Sequence, residues 1–336
     1  MYIYLLILFG CSLLHFKKEE NLFNTPRAWP KPEYNFKQNA INKKQVQLGR
    51  ILFYDPILSR DSSISCASCH SQYNAFAHAD HSLSHGINDQ IGTRNAPTLQ
   101  NLAWNKFFMW DGAIHNLDVQ ALAPITHPKE MNESLENVIA KLNRSNFYQK
   151  LFWNTFHDSV VTSAKTVKAI SQFLLTLISS NSKYDRVKWG EEDFSEQEKN
   201  GYKLFKKNCS SCHVEPLFTS GKFENNGLSL NPELNDYGRV NVSQEPSDSF
   251  KFKVPTLRNI EYSFPYMHDG RYTKLSEAIR HYHANKIFER INKKTIQLTS
   301  NEISDITAFL LTLSDKTFIF DKKHSYPKDL LLNEGN

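Results

Sequence analysis

The sequence predicts a mainly α fold, built from one helical unit used twice in tandem with long loops. Three observations carry that prediction. A five-residue pattern occurs twice, as CASCH from Cys66 to His70 and as CSSCH from Cys209 to His213. The segments flanking the two copies match each other in the same order. Apolar residues recur at helical spacing, while alternating strand patterns are scarce.

The repeat organises everything else. Pro97 laid on Pro255, without gaps, places APTLQNLAWNKFFMWDG (96–112) over VPTLRNIEYSFPYMHDG (254–270). Pro, Thr, Leu, Asn, Met, Asp and Gly coincide, and Leu117 then falls on Leu275. LGRILF (48–53) precedes the first copy as NGYKLF (200–205) precedes the second. AISQFLLTL (169–177) and DITAFLLTL (305–313) close the two units. Each unit therefore reads as opening helix, C-x-x-C-H, long loop, PTLxN, DG and closing helix.

The helices have local signals. Ser195 and Glu198 form a capping box ahead of Tyr202, Leu204 and Phe205. Thr299 and Glu302 form another, ahead of Ile303, Ile306, Phe309, Leu310 and Leu313 at helical spacing. These apolar stripes are core and carry no chemistry. The loop from each C-x-x-C-H to its closing helix runs about ninety residues, which is tolerable where a bound group replaces an ordinary core. The boundary falls in the polar stretch Ser179–Phe194. The expected division is 1–19 as a targeting segment, 20–185 as the first unit and 186–336 as the second.

C-x-x-C-H is the attachment signature of a c-type haem. Two thiols three residues apart each form a thioether to one porphyrin, and the adjacent His reaches the iron. Cys66, Cys69 and His70 would hold one haem, and Cys209, Cys212 and His213 a second. Paired zinc knuckles would need further ligands at close spacing, and the sequence offers none. The fold expected is thus two cytochrome c-like haem domains in tandem.

The chain has 336 residues and a net charge of +5. That charge is spread too widely to argue for nucleic acid. Residues 2–14 are almost wholly apolar and precede Lys17 and Lys18, a stretch too short to span a bilayer. Two readings stand for it. One is a lipoprotein signal, with Cys11 as the lipid-bearing residue; the other is an ordinary cleaved signal. Both imply export, to a periplasmic location, with a lipid anchor in the first case.

The repeat is most informative where it breaks. Tyr282 lies opposite Pro124 at the same offset. A tyrosine oxygen can ligate haem iron, and proline cannot. The second haem would then be closed and the first left open to a small oxidant. Trp110 lies opposite His268 and suits an electron relay or plain packing. The first half also offers Gln120, Glu130, His78, His81 and His85. A carboxylate near an open iron can move a proton between two peroxide oxygens.

With these residues in hand, the chain resembles the bacterial di-haem cytochrome c peroxidase family, which includes the MauG-type enzymes. The resemblance spans about residues 45–315. It rests on CASCH, HGINDQIGTRNAPT, MWDG followed by Gln120, PITHPKEM, CSSCH, KVPTLRN, PYMHDG and LSEAI. It implies that the first haem is peroxidatic and the second transfers electrons. Trp110 matches the tryptophan between them, and Gln120 and Glu130 match the distal-pocket pair. Asn95, Ser263 and Pro265 match a calcium site. His85 matches a histidine that caps the peroxidatic iron, and a surface role is its other reading. At Tyr282 the peroxidases have methionine and the MauG-type enzymes tyrosine. His281 and His283 remain alternative ligands, and no Met lies close by in sequence.

The function expected is reduction of hydrogen peroxide to water, with electrons from a small donor protein, either cytochrome c or cupredoxin. A MauG-like oxidase acting on a protein side chain is the second reading. A non-enzymatic di-haem electron-transfer cytochrome is the third. The resemblance also implies a homodimer.

Overall fold

A computed structural model of the protein describes residues 22–331. The expected targeting segment, with Cys11, lies outside the described residues. Helices dominate, and a single two-residue antiparallel ladder, Phe223–Glu224 with Phe252–Lys253, is the only sheet among the described residues. No helix among them is long and apolar enough to cross a membrane.

Each unit is organised by one helix crossing. The opening helix Lys43–Tyr54 packs on the closing helix Ser163–Leu175. Glu196–Asn208 packs on Ser300–Leu311 in the same way. A glycine sits at each crossing. A Cβ on Gly49 would collide with the Ala169 carbonyl, and one on Gly201 with the Asp305 carbonyl. Only the missing side chain lets the backbones approach this closely. The capping boxes at Ser195/Glu198 and Thr299/Glu302 both form. Asn42 and Thr162 cap the other two helices through their side-chain oxygens.

The shared PTLxN motif has a shared use. Asn101 and Asn259 both take left-handed backbone, with φ of 57° and 56°. The Asn101 amide NH donates to the Leu177 carbonyl at 2.8 Å, and Asn259 donates to Leu313 at 3.1 Å. The side-chain oxygens accept from Ser179 at 2.9 Å and from Asp315 at 2.7 Å. One asparagine thus ties the loop to the end of the closing helix in each unit. Thr98 and Thr256 hydrogen-bond the Ala75 and Leu217 carbonyls, in the loops that follow each C-x-x-C-H.

The two units have separate apolar cores, but the division differs from the expected one. The polar stretch 179–194 is itself structured, with a helix Lys183–Trp189 and buried Tyr184 and Asp185. The chain after 315 leaves the second unit and returns to the first. Phe318 and Ile319 join the first core, where the Phe318 ring lies 5.8 Å from that of Phe76. Gln72 Nε2 donates to the Ile319 and Asp321 carbonyls at 3.0 and 2.8 Å. Tyr54 donates to the His324 carbonyl at 2.7 Å. The repeat ends at Leu313, so no equivalent segment in the first unit signals this strap.

Between the units lies a fully buried ion pair. Arg258 donates through both terminal nitrogens to Asp185, at 2.8 Å each. Its Nε donates to the Pro216 carbonyl at 2.8 Å, and the guanidinium lies 4.6 Å from the Trp29 ring. The Arg258 carbonyl accepts from Gln100 of the first unit at 2.6 Å. Replacing Arg258 with Met would strand the Asp185 carboxylate in the interior. We expect Arg258→Met to lose about 3–5 kcal/mol in denaturant unfolding, and a loss under 1 kcal/mol would contradict this account. The Asp185→Asn/Arg258→Met double variant should lose less, because no lone charge is left behind.

Candidate functional site: two matched centres made unequal

The two C-x-x-C-H segments present their histidines alike. His70 Nδ1 pairs with the Phe76 carbonyl at 2.8 Å, and His213 Nδ1 with the Phe218 carbonyl at 3.1 Å. Phe76 and Phe218 are fully buried and left-handed, with φ of 58° and 53°. That turn aims the carbonyl back at the imidazole. A carbonyl on Nδ1 fixes the tautomer and leaves Nε2 with its lone pair for a metal. Burial holds His70 neutral, pushing it down to about 4, and lowers His213 as well.

The thiols favour haem over zinc. Burial pushes Cys66 and Cys209 up to about 12 and Cys69 up to about 11, and raises Cys212. A zinc site needs thiolates, and these surroundings disfavour them. No group of three or more His, Cys, Asp and Glu residues among the described residues could hold a metal ion. Thioether linkage demands no lasting charge on sulfur. At the second centre the three motif residues open onto a cavity of about 250 Å³. Each donor set fits a c-type haem, and at the second centre so does the mostly apolar lining of the cavity.

The residues expected opposite each histidine differ between the centres. At the second, Tyr282 lines the cavity with Cys209, Cys212 and His213. Burial pushes its phenol up to about 12, with a contribution from both thiols. His281 and His283 are engaged elsewhere. His281 Nε2 pairs with the Asn226 carbonyl at 3.0 Å, and His283 Nδ1 accepts from the Leu298 amide at 3.0 Å. Of the three candidates, only Tyr282 is on the cavity wall. A methionine is nonetheless near: Met267 lines the same cavity, and Asn226 Nδ2 donates to its sulfur at 3.4 Å. Sequence distance concealed it, although its place in the repeat opposite Met109 was a signal.

Glu130, the expected acid of the first centre, lies near its thiols. Its carboxyl is felt electrostatically by both Cys66 and Cys69. The side chain is 31% exposed, and His127 Nδ1 is 3.6 Å away. Burial raises the carboxyl above its ordinary range, and His127 opposes this. Gly86 fixes its position, since a Cβ there would strike the Glu130 backbone. The Ile87 amide donates to the Glu130 carbonyl at 2.8 Å, and Cys69 Sγ to the His85 carbonyl at 3.4 Å. The His85 loop thus joins the first motif to Glu130. The His85 ring is held by Asp89 at 2.8 Å and stacks on His81 at 4.1 Å. His78 and His81 pair at 3.1 Å in the same surface group. Gln120 Nε2 donates to Met109 Sδ at 3.7 Å, beside Trp110 in the chain.

Trp110 borders the second centre, where it lines the cavity. Its indole NH donates to the Asn95 carbonyl at 2.8 Å, and its own carbonyl accepts from the Lys253 amide at 2.7 Å. Arg94 braces the following residue, Asp111, at 2.6 Å and Asp236 of the second unit at 2.6 Å. Asn95, Ser263 and Pro265 share the cavity wall with Trp110. Asn95 Nδ2 donates to the Ser82 carbonyl at 3.1 Å, which leaves Oδ1 as a hard donor atom.

Comparison with known proteins agrees with this construction. A family model described as di-haem cytochrome c peroxidase matches residues 43–193, and one described as cytochrome c matches 198–314. The methylamine utilization protein MauG of Methylorubrum extorquens is 34% identical over 309 residues, covering 87% of this chain and 83% of that protein. The cytochrome c551 peroxidase of Nitrosomonas europaea is 36% identical over 286 residues, covering 81% and 80%. A crystal structure of a MauG-like protein associated with microbial copper homeostasis superposes with a TM-score of 0.80 at 28% identity, covering 91% and 99%. Two matched histidine–thiol centres, their unequal distal residues and these likenesses converge: the chain belongs to the bacterial di-haem cytochrome c peroxidase and MauG family.

Proposed function

We propose that the protein reduces hydrogen peroxide to water at the first centre, using electrons that a small cytochrome c or cupredoxin delivers to the second. The observation that carries this reading is the inequality of two otherwise matched centres. Glu130 stands near the thiols of the first, and Tyr282 near those of the second. When bound, the two haems supply the iron that takes up peroxide and passes single electrons. His70 and His213 offer neutral Nε2 atoms as proximal ligands, and the four thiols tether the cofactors. The Glu130 carboxylate takes the proton from one peroxide oxygen and returns it to the other. Gln120 offers an amide donor to orient peroxide or water. Trp110, held at both its indole and its carbonyl, forms part of the path between the centres. Two protons and two electrons convert one peroxide into two waters.

Tyr282 favours a second reading, oxidation of a protein side chain as in MauG-type enzymes. A hard oxygen ligand stabilises oxidised iron where a thioether stabilises reduced iron. In the same proposal, Asn95 Oδ1 with the Ser263 and Pro265 carbonyls holds a calcium ion between the units. The setting in this reading is exported and periplasmic, which covalent haem attachment supports. His85 serves as a movable cap or as a surface residue, and its bond to Asp89 supports the latter.

Glu130 must be ionised to accept a proton. We expect the acid limb of kcat/KM to lie above the ordinary glutamate range near about 4.3, with activity falling as pH drops through it. Glu130→Gln should lower kcat/KM by about 10²–10⁴-fold, and a fully active variant would remove Glu130 from the mechanism. Tyr282→Met should raise the midpoint potential of the second haem and change its axial-ligand spectrum. If neither changes in spectroelectrochemistry, Tyr282 is not on the iron. Peroxide consumption should require the donor protein; donor-free oxidation of a protein side chain would favour the MauG-like reading.

A further inference from the structure

Lys253 has no role in the mechanism above, yet its position is unusual. It is the only Lys or Arg on the wall of the second cavity among the described residues, and Glu224 is the only Asp or Glu there. No ion pair joins the two, and no carboxylate offsets the ammonium: burial alone pushes it down to about 8. A cation held away from water without a partner is strongly disfavoured, so such groups are paired with an anion when the site is complete. A c-type haem brings two propionate carboxylates. The residue is also rigidly placed. It sits in the short ladder with Phe223, and its amide donates to the Trp110 carbonyl at 2.7 Å.

We infer that Lys253 is a haem-binding residue whose ammonium pairs with a propionate of the second haem. The inference rests on the two-haem reading proposed above. A positive charge there favours the reduced, less positive haem, so Lys253 holds the midpoint potential of the electron-accepting centre up. Its backbone meanwhile fixes the tryptophan on the same wall. One residue therefore sets both the potential of the second centre and the position of Trp110.

The test is spectroelectrochemical titration of the full-length holoprotein, with haem content measured by pyridine haemochromogen. Lys253→Met should lower the midpoint of the second haem, leave the first unmoved, and keep two haems per chain. Lys253→Arg should restore the parental value. An unchanged second midpoint in Lys253→Met overturns the proposal. If Lys253→Met fails to load its second haem, Lys253→Gln is compared with Lys253→Arg: a lower midpoint in Gln supports the proposal, and equal midpoints overturn it. The shift should persist in a Glu224→Gln background, and its disappearance there would assign the ammonium to Glu224 instead. A parent protein with fewer than two haems overturns the cofactor reading beneath, which is a distinct result.

Discussion

The buried pair of Arg258 and Asp185 is the constraint on which the two centres depend. Arg258 leaves the second PTLxN motif and reaches Asp185, on the short helix between the units. It also holds the Pro216 carbonyl, three residues past His213. Its own carbonyl is bonded by Gln100, the equivalent position in the first unit. A single guanidinium thus joins the proximal loop of one centre, the linker and the matching loop of the other. Buried pairs of this kind add little net stability over a well-packed apolar replacement. Their geometric demands are strict, and strict geometry is what electron transfer between two fixed centres needs.

Around that pair, the units reuse one set of devices. The glycine crossing, the left-handed asparagine and the carbonyl behind each histidine are all duplicated. None of these touches the distal side. The residues proposed for the distal sides, Glu130 and Tyr282, lie in segments that differ between the units, and there the proposed chemistry diverges. Conserving the proximal frame while varying the distal loops gives one scaffold two tasks. A change of a distal loop can alter the reaction at one centre without disturbing how either cofactor is held.

Much of this was legible in the sequence, for a physical reason. Capping boxes, helical stripes and C-x-x-C-H are local patterns, and their partners lie within a few residues. The exchange of Pro124 for Tyr282 was legible because the repeat supplied a register. Choosing Tyr282 over His281 and His283 was not, since one residue of slippage on a short helix turns a side chain away from the cavity. Met267, Asn226 and Lys253 reach the second centre from three separate segments. Only the folded chain brings them together. The structured linker at Tyr184 and Asp185 was hidden because its buried groups pair with distant Arg258 and Thr312.

The returning strap also has a meaning for how the molecule is made. Phe318 and Ile319 fill the first core, and the strap's carbonyls hold Gln72 and Tyr54. Gln72 lies two residues past His70, in the loop whose Phe76 carbonyl orients that histidine. The first unit therefore cannot complete its hydrophobic interior until residues 318 and 319 are in place. The centre that would meet peroxide is thus closed by a segment that follows every residue of the second core in the chain.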